Sequence, residues 1–140
     1  MKIKKIDHVT INVRNYEESA RFYRDILGLK QLDDVNMGDH ILHYFLLPDG
    51  SKLELTEYFF DTTDIPVDAT NKGCARHLAF EVDDIVALEK KLKDAGYTFH
   101  VPVSYVESLE FTGGLTKDPN GFEIEFLQYG RHDSGNKVRH

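Results

Sequence analysis

The sequence predicts an α+β fold made of two tandem βαβββ modules that form a curled mixed sheet around a cleft, and three observations predict it. An alternating segment, Asp7-His8-Val9-Thr10-Ile11-Asn12-Val13, recurs in the second half as Arg76-His77-Leu78-Ala79-Phe80-Glu81-Val82. Both copies precede a helical stretch that stops at a glycine. Both halves close alike, because Pro48-Asp49-Gly50-Ser51-Lys52-Leu53-Glu54-Leu55 aligns without gaps on Pro119-Asn120-Gly121-Phe122-Glu123-Ile124-Glu125-Phe126. Self-similarity of this kind marks a duplicated supersecondary unit.

The elements follow in order. Residues 7–13 alternate apolar and polar side chains, the pattern of a half-buried strand. Residues 16–27 place Ala20, Tyr23 and Leu27 on one helical face beside Phe22 and Ile26, and Gly28 supplies a left-handed C′ position. A weak strand is expected around residues 30–36 and a buried one over 41–47. Asp-Gly at 49–50 then predicts a hairpin into the closing strand. In the second half, Ile85, Leu88 and Leu92 line a helix over 85–95 ended by Gly96. Strands are expected near 98–103 and 110–116, with Gly113 and Gly114 marking a bulge or a close approach of ligand to backbone. Asn120-Gly121 predicts the last hairpin.

The expected organisation is a single domain over 1–130, with modules of about 3–60 and 75–128. Residues 61–74, rich in Thr, Asp, Asn, Pro and Gly, form the connector, and 131–140 lack apolar periodicity and read as a flexible tail.

The chain has 140 residues, 41% of them apolar, enough for a core without a disulfide or a structural metal. With 17 basic and 24 acidic side chains the net charge is −7. That balance, without a Lys/Arg cluster, argues against nucleic acid or an anionic membrane as partner and leaves a small molecule. No apolar run is long enough to span a bilayer. The single cysteine, Cys74, cannot form an intrachain disulfide, and the expected location is the cytoplasm.

Strand parity then selects the candidate site. Val9, Ile11 and Val13 share the helix-facing side of their strand, so His8, Thr10 and Asn12 take the other. In the second copy His77, Ala79 and Glu81 turn away from the helix. On the closing strands Glu54 and Thr56, and likewise Glu123 and Glu125, do the same. Each half therefore offers one His and one Glu on the non-helix face. If the sheet curls, His8, Glu54, His77 and Glu125 meet around one divalent cation, Zn, Ni, Co, Mn or Fe, with one or two positions open. A lone strand His or Glu is ordinarily structural or solvated; the repetition of both raises the case. His40 and His43 have no counterpart in the second half and are left out. Arg21 and Arg24 are assigned to the solvated side of the first helix, Tyr16, Phe22 and Tyr23 to the core.

These segments resemble the vicinal oxygen chelate superfamily, which includes glyoxalase I, methylmalonyl-CoA epimerase, extradiol dioxygenases, fosfomycin-resistance enzymes and bleomycin-binding proteins. The resemblance covers about residues 3–128. It rests on Ile6-Asp7-His8-Val9, Arg21-Phe22-Tyr23, Leu27-Gly28-Leu29, Leu53-Glu54-Leu55, Arg76-His77-Leu78-Ala79-Phe80 and the segment from Lys117 to Glu125. It implies the glyoxalase-like fold, a homodimer, and a divalent cation on His8, Glu54, His77 and Glu125. That donor pattern is nearest glyoxalase I, a lactoylglutathione lyase. The implied chemistry is proton abstraction beside a chelated carbonyl, with Glu125 as base and Glu54 as the symmetric second candidate. Thr10, Asn12 and Thr56 are the expected substrate contacts. The alternatives are an epimerase of CoA thioesters, a ring-cleaving dioxygenase, a fosfomycin-type thiol transferase or a non-catalytic drug- or metabolite-binding protein.

Overall fold

A computed structural model describes residues 1–60, 75–132 and 138–139. The connector 61–74, Cys74 included, lies outside the described residues. The chain divides into two compact units, Met1–Ile65 and Pro66–His140, each with its own five-stranded mixed sheet.

In the first unit β1 (His8–Asn12) leads into α1 (Tyr16–Ala20), followed by β2 (Lys30–Gln31), β3 (Val35–Asn36), β4 (His40–Leu46) and β5 (Lys52–Tyr58). The strand order is β1-β5-β4-β2, with β3 also on β4. β1 pairs parallel with β5, a geometry that requires a crossover and explains why a helix follows β1. β4 and β5 form the antiparallel hairpin expected from Asp49-Gly50. Asn15 caps α1, its side chain accepting from the Glu18 N–H at 3.1 Å.

The first helix differs from expectation. After Ala20 it continues as a π-helical turn over Arg21–Ile26, where the Leu27 N–H reaches the Phe22 carbonyl at 2.9 Å. The wider turn brings successive side chains closer in angle. Phe22 and its neighbour Tyr23 are both fully buried, with Ile26 beside them. Gly28 then takes φ 76°, as its C′ role requires.

The second unit runs β6 (Leu78–Glu81), α2 (Ile85–Asp94), β7 (Val101–Val106), a 3-10 turn (Glu107–Leu109), β8 (Phe111–Lys117), β9 (Glu123–Tyr129) and β10 (Val138–Arg139). Its order is β10-β7-β8-β9-β6, and again the first strand pairs parallel with the last strand of the module, β9. Ile85, Leu92, Ile124 and Phe126 are buried as the parity argument requires.

Three expectations change here. β7 begins three residues later than the stretch 98–103. The tail is not wholly without pairing, since Val138 and Arg139 lie parallel to Tyr105 and Val106. Gly113 and Gly114 are explained by neighbouring strands, not by a ligand. A Cβ on Gly113 would stand 2.7 Å from the Phe126 carbonyl oxygen, and one on Gly114 2.8 Å from that of Val101. The register shift falls opposite them, between Val101 and Ser104.

Candidate metal centre

Each unit presents one imidazole to one carboxylate. In the first, β1–β5 register sets Thr10 level with Glu54, and β4–β5 register sets Tyr44 on its other side. His8 lies diagonally across, its Nε2 3.6 Å from Glu54 Oε2. The Tyr44 phenol donates to the Glu54 carboxylate, and that bond, with burial and the adjacent negative charge, pushes its pKa up to about 12. Thr10 and Thr56 share a hydroxyl hydrogen bond of 2.9 Å, and the Thr56 hydroxyl stands 3.5 Å from Glu54 Oε1. Asn12 is level with Thr56 and exposed.

In the second unit His77 immediately precedes β6, and its Nε2 is 3.7 Å from Glu125 Oε1. Glu125 lies level with Ala79 and Leu115, neither of which carries a polar side-chain atom. The two glutamates are thus held differently, Glu54 between hydroxyls and Glu125 between hydrocarbon neighbours.

The far nitrogen of each imidazole also faces a carboxylate. His8 Nδ1 is 2.9 Å from Asp7 Oδ2, and the His8 bond, aided by Lys52, holds the Asp7 carboxyl below its ordinary range. His77 Nδ1 is 3.5 Å from Glu123 Oε1. Sequence reasoning placed Glu123 on the correct face without a role, and missed Asp7 and Tyr44 as neighbours of the predicted donors and His100 as the neighbour of Glu123. The signal for Glu123 was its parity with Glu125; that for Tyr44 was its own alternation along β4.

The residues fit a borderline divalent cation. Separations of 3.6 and 3.7 Å exceed a hydrogen bond. They approach the roughly 3.4 Å that separates two donors each about 2.1 Å from a tetrahedral ion. Each far nitrogen has the carboxylate that metal-binding histidines ordinarily use. Among the described residues, no group of three or more His, Cys, Asp or Glu is gathered to hold an ion; the four predicted donors lie as two His–Glu pairs, one in each unit.

His43 is elsewhere. It is buried on the helix-facing side of β4, stacked on Tyr16 at 3.7 Å between ring centroids, with Nε2 3.0 Å from Glu57.

Two units that each run from a strand through a helix to a closing antiparallel hairpin, with the first strand parallel to β5 or β9, define a glyoxalase-fold protein. It matches a glyoxylase/bleomycin resistance protein/dioxygenase domain from Frankia with a TM-score of 0.77 and 26% identity, over 91% of this chain and 99% of that one. The chain belongs to the glyoxalase/bleomycin resistance protein/dioxygenase superfamily, whose pattern matches residues 5–126. It is 27% identical to the lactoylglutathione lyase of Haemophilus influenzae, over 94% of this chain and 97% of that protein. It is 30% identical to an ethylmalonyl-CoA/methylmalonyl-CoA epimerase of Cereibacter sphaeroides, over 67% of this chain and 72% of that protein. These relatives are lyases and epimerases, and an enzymatic role for this chain is in keeping with them.

Proposed function

We propose that this protein is a divalent-metal-dependent lyase of the glyoxalase I type, acting on a small carbonyl substrate, with His8, Glu54, His77 and Glu125 as donors to the cation. The observation that carries this reading is the repeated His–Glu pair, each backed by a carboxylate on the far imidazole nitrogen. The proposal includes a single functional domain over 1–130 and a homodimer in the cytoplasm.

A bound divalent cation polarises a substrate carbonyl and so eases loss of the proton on the adjacent carbon. Glu125 takes that proton and returns it to the neighbouring carbon, because its cross-strand neighbours Ala79 and Leu115 offer its carboxylate no hydrogen bond. Glu54, held by Tyr44, serves as donor, with the same chemistry open to it as second candidate. His8 and His77 hold the cation without changing protonation. Thr10 and Thr56 offer hydroxyls beside Glu54, and Asn12 an amide at the end of the same face, to orient substrate oxygens.

The test is a metal-supplemented screen of the purified protein in deuterated water on methylglyoxal–thiol adducts, CoA thioesters, catechols and fosfomycin. Turnover of a thiol adduct with solvent deuterium entering the product carbon is expected, as is about one cation per chain. Loss of both cation and turnover is expected in His77→Ala and Glu125→Ala. Deuterium exchange confined to a CoA thioester would make the protein an epimerase. Full cation content in both variants, by elemental analysis, would overturn the donor set. Ligand retained after chelation, with no product from any compound, would make it a binding protein.

A further inference from the structure

Glu123 is a carboxylate in an unusual position for a strand residue: it is about nine-tenths buried, yet it faces three basic groups. Its Oε2 accepts from His100 Nε2 at 2.8 Å, and Arg76 Nε stands 3.9 Å from Oε1. The remaining partner is His77, whose Nδ1 is 3.5 Å from Oε1. Both of those atoms are buried, and neither makes a hydrogen bond. A buried ring nitrogen and a buried acceptor oxygen facing each other across 3.5 Å are costly to leave unpaired, and a small swing of the His77 ring closes the bond.

The two nitrogens of an imidazole point away from each other. Glu123 and Glu125 therefore flank His77 from opposite sides, and Glu123 is not positioned to share an ion with it. Its oxygen, which can only accept, favours the His77 tautomer with hydrogen on Nδ1. Nε2, toward Glu125, is then the nitrogen with the free lone pair. His100 fixes the rotamer of Glu123 by occupying its second oxygen.

The first unit does this differently. Asp7 is the chain neighbour of His8 and its side chain is 65% exposed, so water competes with it and screens it. Glu123 arrives from a separate strand and is shielded. We infer that Glu123, anchored by His100, is a positioning residue that sets the His77 tautomer, and that this shielded partner matters more to cation binding than the exposed Asp7 does beside His8.

This inference rests on reading His77 as a cation donor, and the experiment separates the two. Ring nitrogens of 15N-histidine-labelled, metal-free full-length protein are observed by NMR at about pH 8.5, where imidazoles are ordinarily neutral. Zinc affinity is measured in parallel by chelator competition. The expected wild-type signature is a His77 ring protonated on Nδ1. Glu123→Gln, which keeps the volume but leaves one acceptor for two imidazoles, is expected to raise the Nε2–H population and weaken zinc about 10–100-fold. His100→Ala is expected to shift both readouts the same way to a smaller extent, and serves if Glu123→Gln does not fold. Asp7→Asn is expected to weaken zinc less than Glu123→Gln. An Nε2–H tautomer in the wild type, an unchanged tautomer and affinity in Glu123→Gln, or an equal loss in Asp7→Asn would overturn the inference. Zinc affinity unaffected by His77→Ala would instead overturn the donor assignment, with the tautomer result standing on its own.

Discussion

Tyr44 shows how one side chain reports on the candidate centre without touching its chemistry. Its proton is retained because the phenol donates to Glu54, so the folded-state pKa lies above the ordinary value of 10.0, at about 12. A raised pKa contributes stability that is fully present below pH 10 and is lost as pH rises through 12. Ultraviolet titration of the wild type is expected to include a tyrosine ionising near 12, and Tyr44→Phe is expected to lack that step. Stability of the wild type is expected to fall between pH 10 and 12 more steeply than that of Tyr44→Phe. An unchanged titration curve in the variant would remove the Tyr44–Glu54 bond from the account. At this scale the sequence was legible as far as parity reaches. Alternation put Glu54, Glu125 and Glu123 on one side of their strands, and the repeat singled out His8 and His77. The partners of these groups were not legible, because Tyr44 meets Glu54, and His100 meets Glu123, through strand register and chain path. His43 illustrates the converse: an unrepeated histidine proved to be a buried one, stacked on Tyr16.

Among the elements, the ends were easier to read than the interiors. Gly28 and Gly96 stop their helices with φ of 76° and 95°, as their positions predicted. The π-helical turn was hidden, since apolar spacing at 20, 22, 23, 26 and 27 is also compatible with an α-helix, and only packing of Phe22 beside Tyr23 decides between them. The start of α2 was hidden in part as well. Asp84 accepts from the Ala87 N–H at 3.0 Å, while Gln128 on β9 accepts from the Ile85 N–H at 3.0 Å and donates to the Asp83 carbonyl at 2.8 Å. Two otherwise orphaned groups are thereby satisfied by a strand more than forty positions away. Asp84→Ala is expected to lower stability by about 1 kcal/mol in urea unfolding, with the slope unchanged. A loss near zero would mean that Gln128 alone secures the helix start.

For the whole molecule, duplication was the most informative feature of the sequence, because it predicted two modules and the hairpin that closes each, while the parallel pairing of first and last strands emerges only in the structure. The connector expected over 61–74 was read from composition alone and lies outside the described residues. Among the described residues no helix is long and apolar enough to cross a membrane. The net charge of −7 favours accumulation of cations near the surface, in keeping with a protein proposed to acquire one.

The hairpin at Pro119–Phe122 couples two properties usually considered apart. Its Gly121 N–H closes on the Asp118 carbonyl at 3.0 Å, and it delivers β9 beside β8 with Leu115 level with Glu125. Deleting one residue from this hairpin would slide the strand by a single step, exchanging Glu125 for Ile124 or Phe126 on the proposed donor side and driving acid into hydrocarbon. Such a deletion is expected to abolish zinc retention and cooperative melting together, in one calorimetric and one elemental measurement. Retention of either alone would show that the two are separable. Any shift of pairing that removed Glu125 from the proposed centre would therefore also carry a carboxylate into the core.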